Sequence, residues 1–184
     1  MSEILIIIGL ILLNGVFSMS EVAMISARKS RLSTDAKKGS KAAQKALDLS
    51  GNPDRFLSTV QIGITLIGIL TGIYSGNKIA TDLTDFMLSC GVSSAYAAVL
   101  AQGTIVVVVT YLTIIFGELV PKRIGLSVAE AVAKLMARPM NVLAMIASPF
   151  VWLLSKSTEL IFNLLGIKGA DGKVTEEAIK SIIK

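Results

Sequence analysis

Three stretches of this chain, residues 4–27, 56–74 and 95–117, are apolar for the length of a bilayer crossing, which takes roughly 20 residues as a helix. Lipid offers no hydrogen bonds, so a buried segment must satisfy its own N–H and C=O groups, and a helix does so unaided. Composition agrees: 53% of the 184 residues are hydrophobic and mean hydropathy is +0.71, more than the core of a soluble domain of this size calls for. The fold class expected is an all-α membrane protein with three transmembrane helices. A fourth window, residues 142–167, contains Pro149, Lys156 and Glu159. It reads as part of juxtamembrane, half-buried or interfacial helices over residues 127–166.

The first window follows Met1-Ser-Glu3, which has no positive charge. A secretory signal needs one, so the segment reads as a retained span. Arg28, Lys29, Arg31, Lys37, Lys38, Lys41, Lys45 and Arg55 crowd the first loop, whereas the second has only Lys78 against Asp82 and Asp85. Positive charge stays on the cytoplasmic side. The expected topology therefore has the N-terminus outside and the first loop, Lys122, Arg123 and the C-terminus in the cytoplasm, in a bacterial inner membrane.

The net charge of +5 follows from that asymmetry. The basic residues flank spans without interleaved aromatics, which argues against nucleic acid as a partner and leaves the lipid bilayer. Cys90 is the single cysteine and histidine is absent, which removes disulfides, His/Cys zinc sites and histidine-dependent triads. Serine and glutamate without a base give no activated nucleophile, so no enzyme is expected.

Local signals place the helices between the spans. Residues 33–39 and 40–49 are rich in Ala and Lys with Gly39 between them, predicting two short helices. Asn52-Pro53-Asp54 combines an N-cap residue, a proline suited to the first helical position and an acid at the positive helix end. Ser127-Val-Ala-Glu130 has the capping-box spacing. It opens a helix whose Ser127, Glu130, Lys134 and Arg138 form a polar stripe, expected to end at Pro139. Such a helix suits either the interface or a soluble partner domain.

Polar groups inside the spans carry the functional argument, since an intramembrane acid is costly and marks ion or proton paths. Asn14, Ser18 and Glu21 share one face of the first helix by spacing, with Ser20 beside them. The alternative is that Ser18 and Ser20 bond back to their own helix and Glu21 reaches the headgroups. On the second span Gln61 and Thr65 either line a cavity or bridge helices. Gly68, Gly72 and Gly76 repeat at the spacing of close helix packing and dimerisation. On the third, Pro121 has no N–H for the Gly117 carbonyl, leaving it free beside the Glu118 carboxylate. An interrupted helix there would expose oxygens to a cation; a helix ending at the surface would explain Pro121 alone. The candidate ligands of a transported ion are Ser18, Ser20, Glu21, Gly117 and Glu118, with Asn14, Gln61 and Thr65 as cavity lining. All-oxygen donors suit hard cations, with Mg2+ first and Na+ or a proton behind it. Two carboxylates would also hold an ammonium group.

Asn14-Gly-Val-Phe-Ser-Met-Ser-Glu21, Leu57-Ser-Thr-Val-Gln-Ile-Gly63 and Phe116-Gly-Glu-Leu-Val-Pro-Lys-Arg123 together resemble the membrane domain of the CorC and cyclin M family of magnesium transporters, in its bacterial hemolysin-like branch. The resemblance runs from about Ile4 to Ile167. It implies three transmembrane helices with an amphipathic belt, a homodimer, and Mg2+ efflux that is Na+-driven in several members. It also implies Ser18, Glu118 and the Gly117 carbonyl as ligands with Ser20 or Glu21 close by. Full-length members continue into nucleotide-binding CBS domains, so residues 1–168 are expected to form the membrane domain and 169–184 the start of a linker, with nucleotide acting only through those further domains. Members with a defined magnesium site place Asn on the second span, where this chain has Gly63-Ile-Thr-Leu-Ile-Gly68. The branch also includes a polyamine exporter, and a non-transporting membrane sensor or anchor that regulates other transporters is a third possibility.

Overall fold

The computed structural model describes residues 1–167, all helix and turn; the expected linker over residues 169–184 lies outside them. The helices are α1 (Ser2–Ser26), α2 (Lys29–Lys37), α3 (Lys41–Ser50), α4 (Pro53–Tyr74), α5 (Ala80–Ser89), α6 (Ser94–Ile114), α7 (Val120–Ser127) and α8 (Ala129–Leu164). A first π-helical segment, Ser75–Ile79, joins α4 to α5, and a second, Ile115–Leu119, joins α6 to α7. The chain divides into two compact units at Ile146 and Ala147.

In the first unit α1 is the central element, packed against α4, the second π segment and α7. Small residues make this possible. A Cβ on Gly15 would lie 2.8 Å from the Phe116 carbonyl oxygen and one on Gly125 would lie 2.7 Å from that of Met19, so these helices meet backbone to backbone. Phe17 lies where a Cβ on Gly63 would be, 2.6 Å from its ring. Phe56, Val60, Ile67 and Met140 extend the core. Gly68, Gly72 and Gly76, by contrast, face open space in this chain.

The local signals between the spans produce the expected pieces. Gly39 at φ +95° ends α2, because a side chain would oppose that left-handed backbone. The Ser40 hydroxyl then accepts from the Ala43 N–H at 3.2 Å to start α3. Asn52 and Pro53 open α4, although the Asn52 side chain makes no capping bond.

Four expectations are corrected. The connection over residues 75–94 is mostly helix, because the first π segment carries α4 onward into α5. The third span does not break near Gly117: helix continues from Ser94 to Ser127, 34 residues. The widened π turn makes room for the Pro121 ring, which would otherwise press on the carbonyl of Gly117. Pro139 does not end α8, nor does Pro149; both prolines are exposed, where a ring can replace an N–H without parting packed neighbours. Finally, the capping box does not close. The Ser127 hydroxyl donates to the Arg123 carbonyl at 2.8 Å, while Glu130 accepts from the Arg28 backbone N–H at 3.5 Å.

By length and composition, four helical stretches could cross a membrane: Ser2–Ser26, Pro53–Tyr74, Ser94–Ser127 and Ala129–Leu164. The last is one more than the sequence suggested. In the part of α8 beyond Ala147, Lys156 and Glu159 pair at 2.8 Å, so its two opposite charges meet on one helix face.

Candidate functional site

A cavity of about 370 Å³ lies within the first unit, walled by α1, α4, the first π segment, α6 and the second π segment. Ile11 and Asn14 come from α1, Ile67, Gly68, Thr71 and Gly72 from α4, and Ser75 from the first π segment. Val106, Val109, Thr110, Thr113 and Ile114 come from α6, and Glu118 from the second π segment. The wall is therefore aliphatic, with one carboxylate, one amide and several hydroxyls set into it.

The π turn decides how these groups are presented. Gly117 is buried against α1, where a Cβ would lie 3.0 Å from Asn14 Nδ2, while Glu118, the next residue, lines the cavity. Asn14 Nδ2 donates to the Gly117 carbonyl at 3.0 Å in a buried hydrogen bond. The carbonyl that Pro121 cannot serve is thus met from a neighbouring helix. Glu118 is half-buried and has no hydrogen-bond or ionic partner among the described residues.

Of the residues proposed from sequence, Asn14 and Glu118 meet on this wall. Ser18, 1% exposed, lies one turn from Asn14 but does not line the cavity, and its hydroxyl has no partner among the described residues. Ser20 is fully buried and donates to the Val16 carbonyl at 2.7 Å, a local back-bond. Glu21 is half-buried and off the cavity wall. Gln61 and Thr65 are exposed, 3.4 Å from each other, and do not line this cavity. The lining hydroxyls of Thr71, Ser75, Thr110 and Thr113 were not singled out from sequence. Their spacings, four and three residues apart on otherwise aliphatic faces, are the signal that could have found them.

Among the described residues no group of three or more Asp, Glu, His or Cys gathers to hold a metal ion. A cation in the cavity would meet Glu118 and neutral oxygens. Glu118 is the lining group able to compensate its charge, and Asn14 can help orient it.

A second, open groove lies between α2 and the start of α8, lined by Arg31, Thr34, Asp35, Ser127, Glu130 and Lys134 among others. Lys134 donates to Asp35 there at 2.7 Å. That hydrogen bond and the ammonium charge hold the Asp35 carboxyl below its ordinary value. Lys134 and Glu130 of the polar stripe thus meet α2 and the residue that precedes it, while the Ser127 hydroxyl bonds Arg123.

Residues 5–184 match the cyclin M transmembrane N-terminal domain. The chain belongs to the cyclin M transmembrane-domain family. Over 183 residues this cyclin M domain is 44% identical to the UPF0053 protein sll0260 of Synechocystis, covering 99% of this chain and 41% of that protein. It is 32% identical over 166 residues to the UPF0053 protein YhdP of Bacillus subtilis, covering 90% and 37%. It is 35% identical over 167 residues to the polyamine export protein of Salmonella typhimurium, covering 91% and 37%. The chain spans about two-fifths of the length of these relatives. It is a multi-pass membrane protein of a transporter-type family.

Proposed function

We propose that this domain exports a cation, with the Glu118 cavity as its binding station. One observation carries the reading: Glu118 has no partner among the described residues and opens with Asn14 onto a cavity between helices long enough to span a bilayer. An intramembrane acid without a partner is costly unless it serves a cation or a proton. The topology proposed is the one argued from loop charge, N-terminus outside and α2 and α3 cytoplasmic, in a bacterial inner membrane and as a homodimer. Alternating access would expose the cavity to each side in turn.

The lining favours an alkylamine. Glu118, Asn14 and the hydroxyls suit an ammonium group, and Ile11, Ile67, Val106 and Val109 suit its methylenes. Relatives bearing the name polyamine export protein support this choice. A second reading, Mg2+ exchanged for Na+, draws on the all-oxygen donor set, since Mg2+ often keeps several waters and takes one or two carboxylates. The test is transport by the full-length protein in everted membrane vesicles, with putrescine and Mg2+ supplied separately. Glu118→Gln should abolish movement of the true cargo while protein level and assembly persist. Wild-type transport by that variant would end the proposal. Failure of the wild type to move either cargo would favour a sensor or anchor.

A further inference from the structure

The Asn14 amide has two faces, and the fold uses one of them. A carbonyl only accepts hydrogen bonds, so the Gly117 oxygen must be met by the NH2 side of the amide. The 3.0 Å bond from Nδ2 to that oxygen therefore selects one of the two amide orientations. It leaves the other atom, Oδ1, with no donor among the described residues. Asn14 is 4% exposed and lines the cavity with Glu118. Among the described residues Arg55 Nε is the fully enclosed side-chain atom left without a partner, so Oδ1 keeps some open surface, and on the cavity wall a cation or an ammonium N–H would meet it.

The cause of this orientation lies elsewhere in the chain. In an unbroken helix the Gly117 carbonyl would bond the N–H of residue 121, but Pro121 has none. Pro121 is buried, and its ring would lie 2.9 Å from a Cβ on Gly15, the residue after Asn14. One proline thus leaves the carbonyl free and also packs beside the helix turn that carries the amide. We infer that Asn14 is a cargo ligand through Oδ1, and that Pro121 is a positioning residue acting on it through the Gly117 carbonyl. The inference rests on the cavity being the cargo site, and it moves the ligating oxygen from the Gly117 backbone to the Asn14 side chain.

The test is the concentration dependence of transport by the full-length protein in everted vesicles, with putrescine and Mg2+ as separate probes. Asn14→Leu should raise the KM of the transported probe roughly tenfold, the worth of one hydrogen bond to a charged group, with the maximal rate little changed. Pro121→Ala restores an N–H that competes for the Gly117 carbonyl, so it should raise KM several-fold without touching the cavity wall. The double variant should be no worse than Asn14→Leu alone, because both changes act through one amide. Multiplying effects, or a wild-type KM in Asn14→Leu, would overturn the inference. If Asn14→Leu fails to reach the membrane, Pro121→Ala decides: an unchanged KM sinks the idea and a raised one sustains it. Normal transport by Glu118→Gln would instead remove the cavity reading itself. Inactive Glu118→Gln beside normal Asn14→Leu removes this inference alone.

Discussion

The α1 contact with the second π segment and the α2 contact with α8 are both polar junctions between distant parts of the chain, and they work by different physics. The first is one neutral bond, Asn14 to Gly117, buried in a backbone-to-backbone seam. The second is a half-exposed pair, Lys134 with Asp35, beside a long bond from Arg28 to Glu130. Burial raises the stakes of a bond because a broken partner cannot turn to water. Exposure lowers them, since water and salt screen the pair. A neutral buried bond therefore counts for more at the site than a charged, solvent-reached pair does at the belt.

The largest effect expected is on Glu118, where Gln should remove transport and leave the thermal midpoint of the purified protein near wild type. A lowered midpoint would mean that Glu118 belongs to the seam and not to the cavity. Next is the seam itself. Gly125→Leu must push against the Met19 carbonyl and should destabilise by about 1–3 kcal/mol or more. Gly68→Leu enters open space on the cavity wall, so it should block transport with little change in stability. Equal thermal shifts in the two would erase the distinction between seam and wall.

Smaller effects separate the two buried serines of α1. Ser20→Ala removes a back-bond to its own helix and should be nearly neutral in thermal melts. Ser18→Ala removes a hydroxyl that has no partner among the described residues but keeps a little open surface, and should stabilise by about 0.5 kcal/mol or less; destabilisation would reveal a partner for Ser18. The smallest change is at the belt, where Lys134→Met should move the midpoint by about 2 °C or less. The sign with pH follows from Asp35. Its lowered pKa in the folded state means its contribution is present above the ordinary value of 3.8 and lost as pH falls through the folded value. Acid melts of wild type and Lys134→Met should converge in that range, and a gap persisting there would place the coupling elsewhere.

Long-range consequences were harder to read than local ones. The length and apolarity of three windows determined the helical class, because lipid leaves the backbone no other self-sufficient conformation. Gly39, Ser40 and Asn52-Pro53 determined where the helices between spans begin and end, since capping and left-handed turns act within a few residues. Pro121 was legible as a missing N–H. That it yields a π turn and not a break depends on α1 packing against Gly117 and Gly125, which no local rule contains. Tertiary structure likewise decided that Asn14 and Glu118 share a wall while Glu21, Gln61 and Thr65 do not. Spacing puts residues on a face of their own helix, but only the packing of five elements decides which faces enclose a common space.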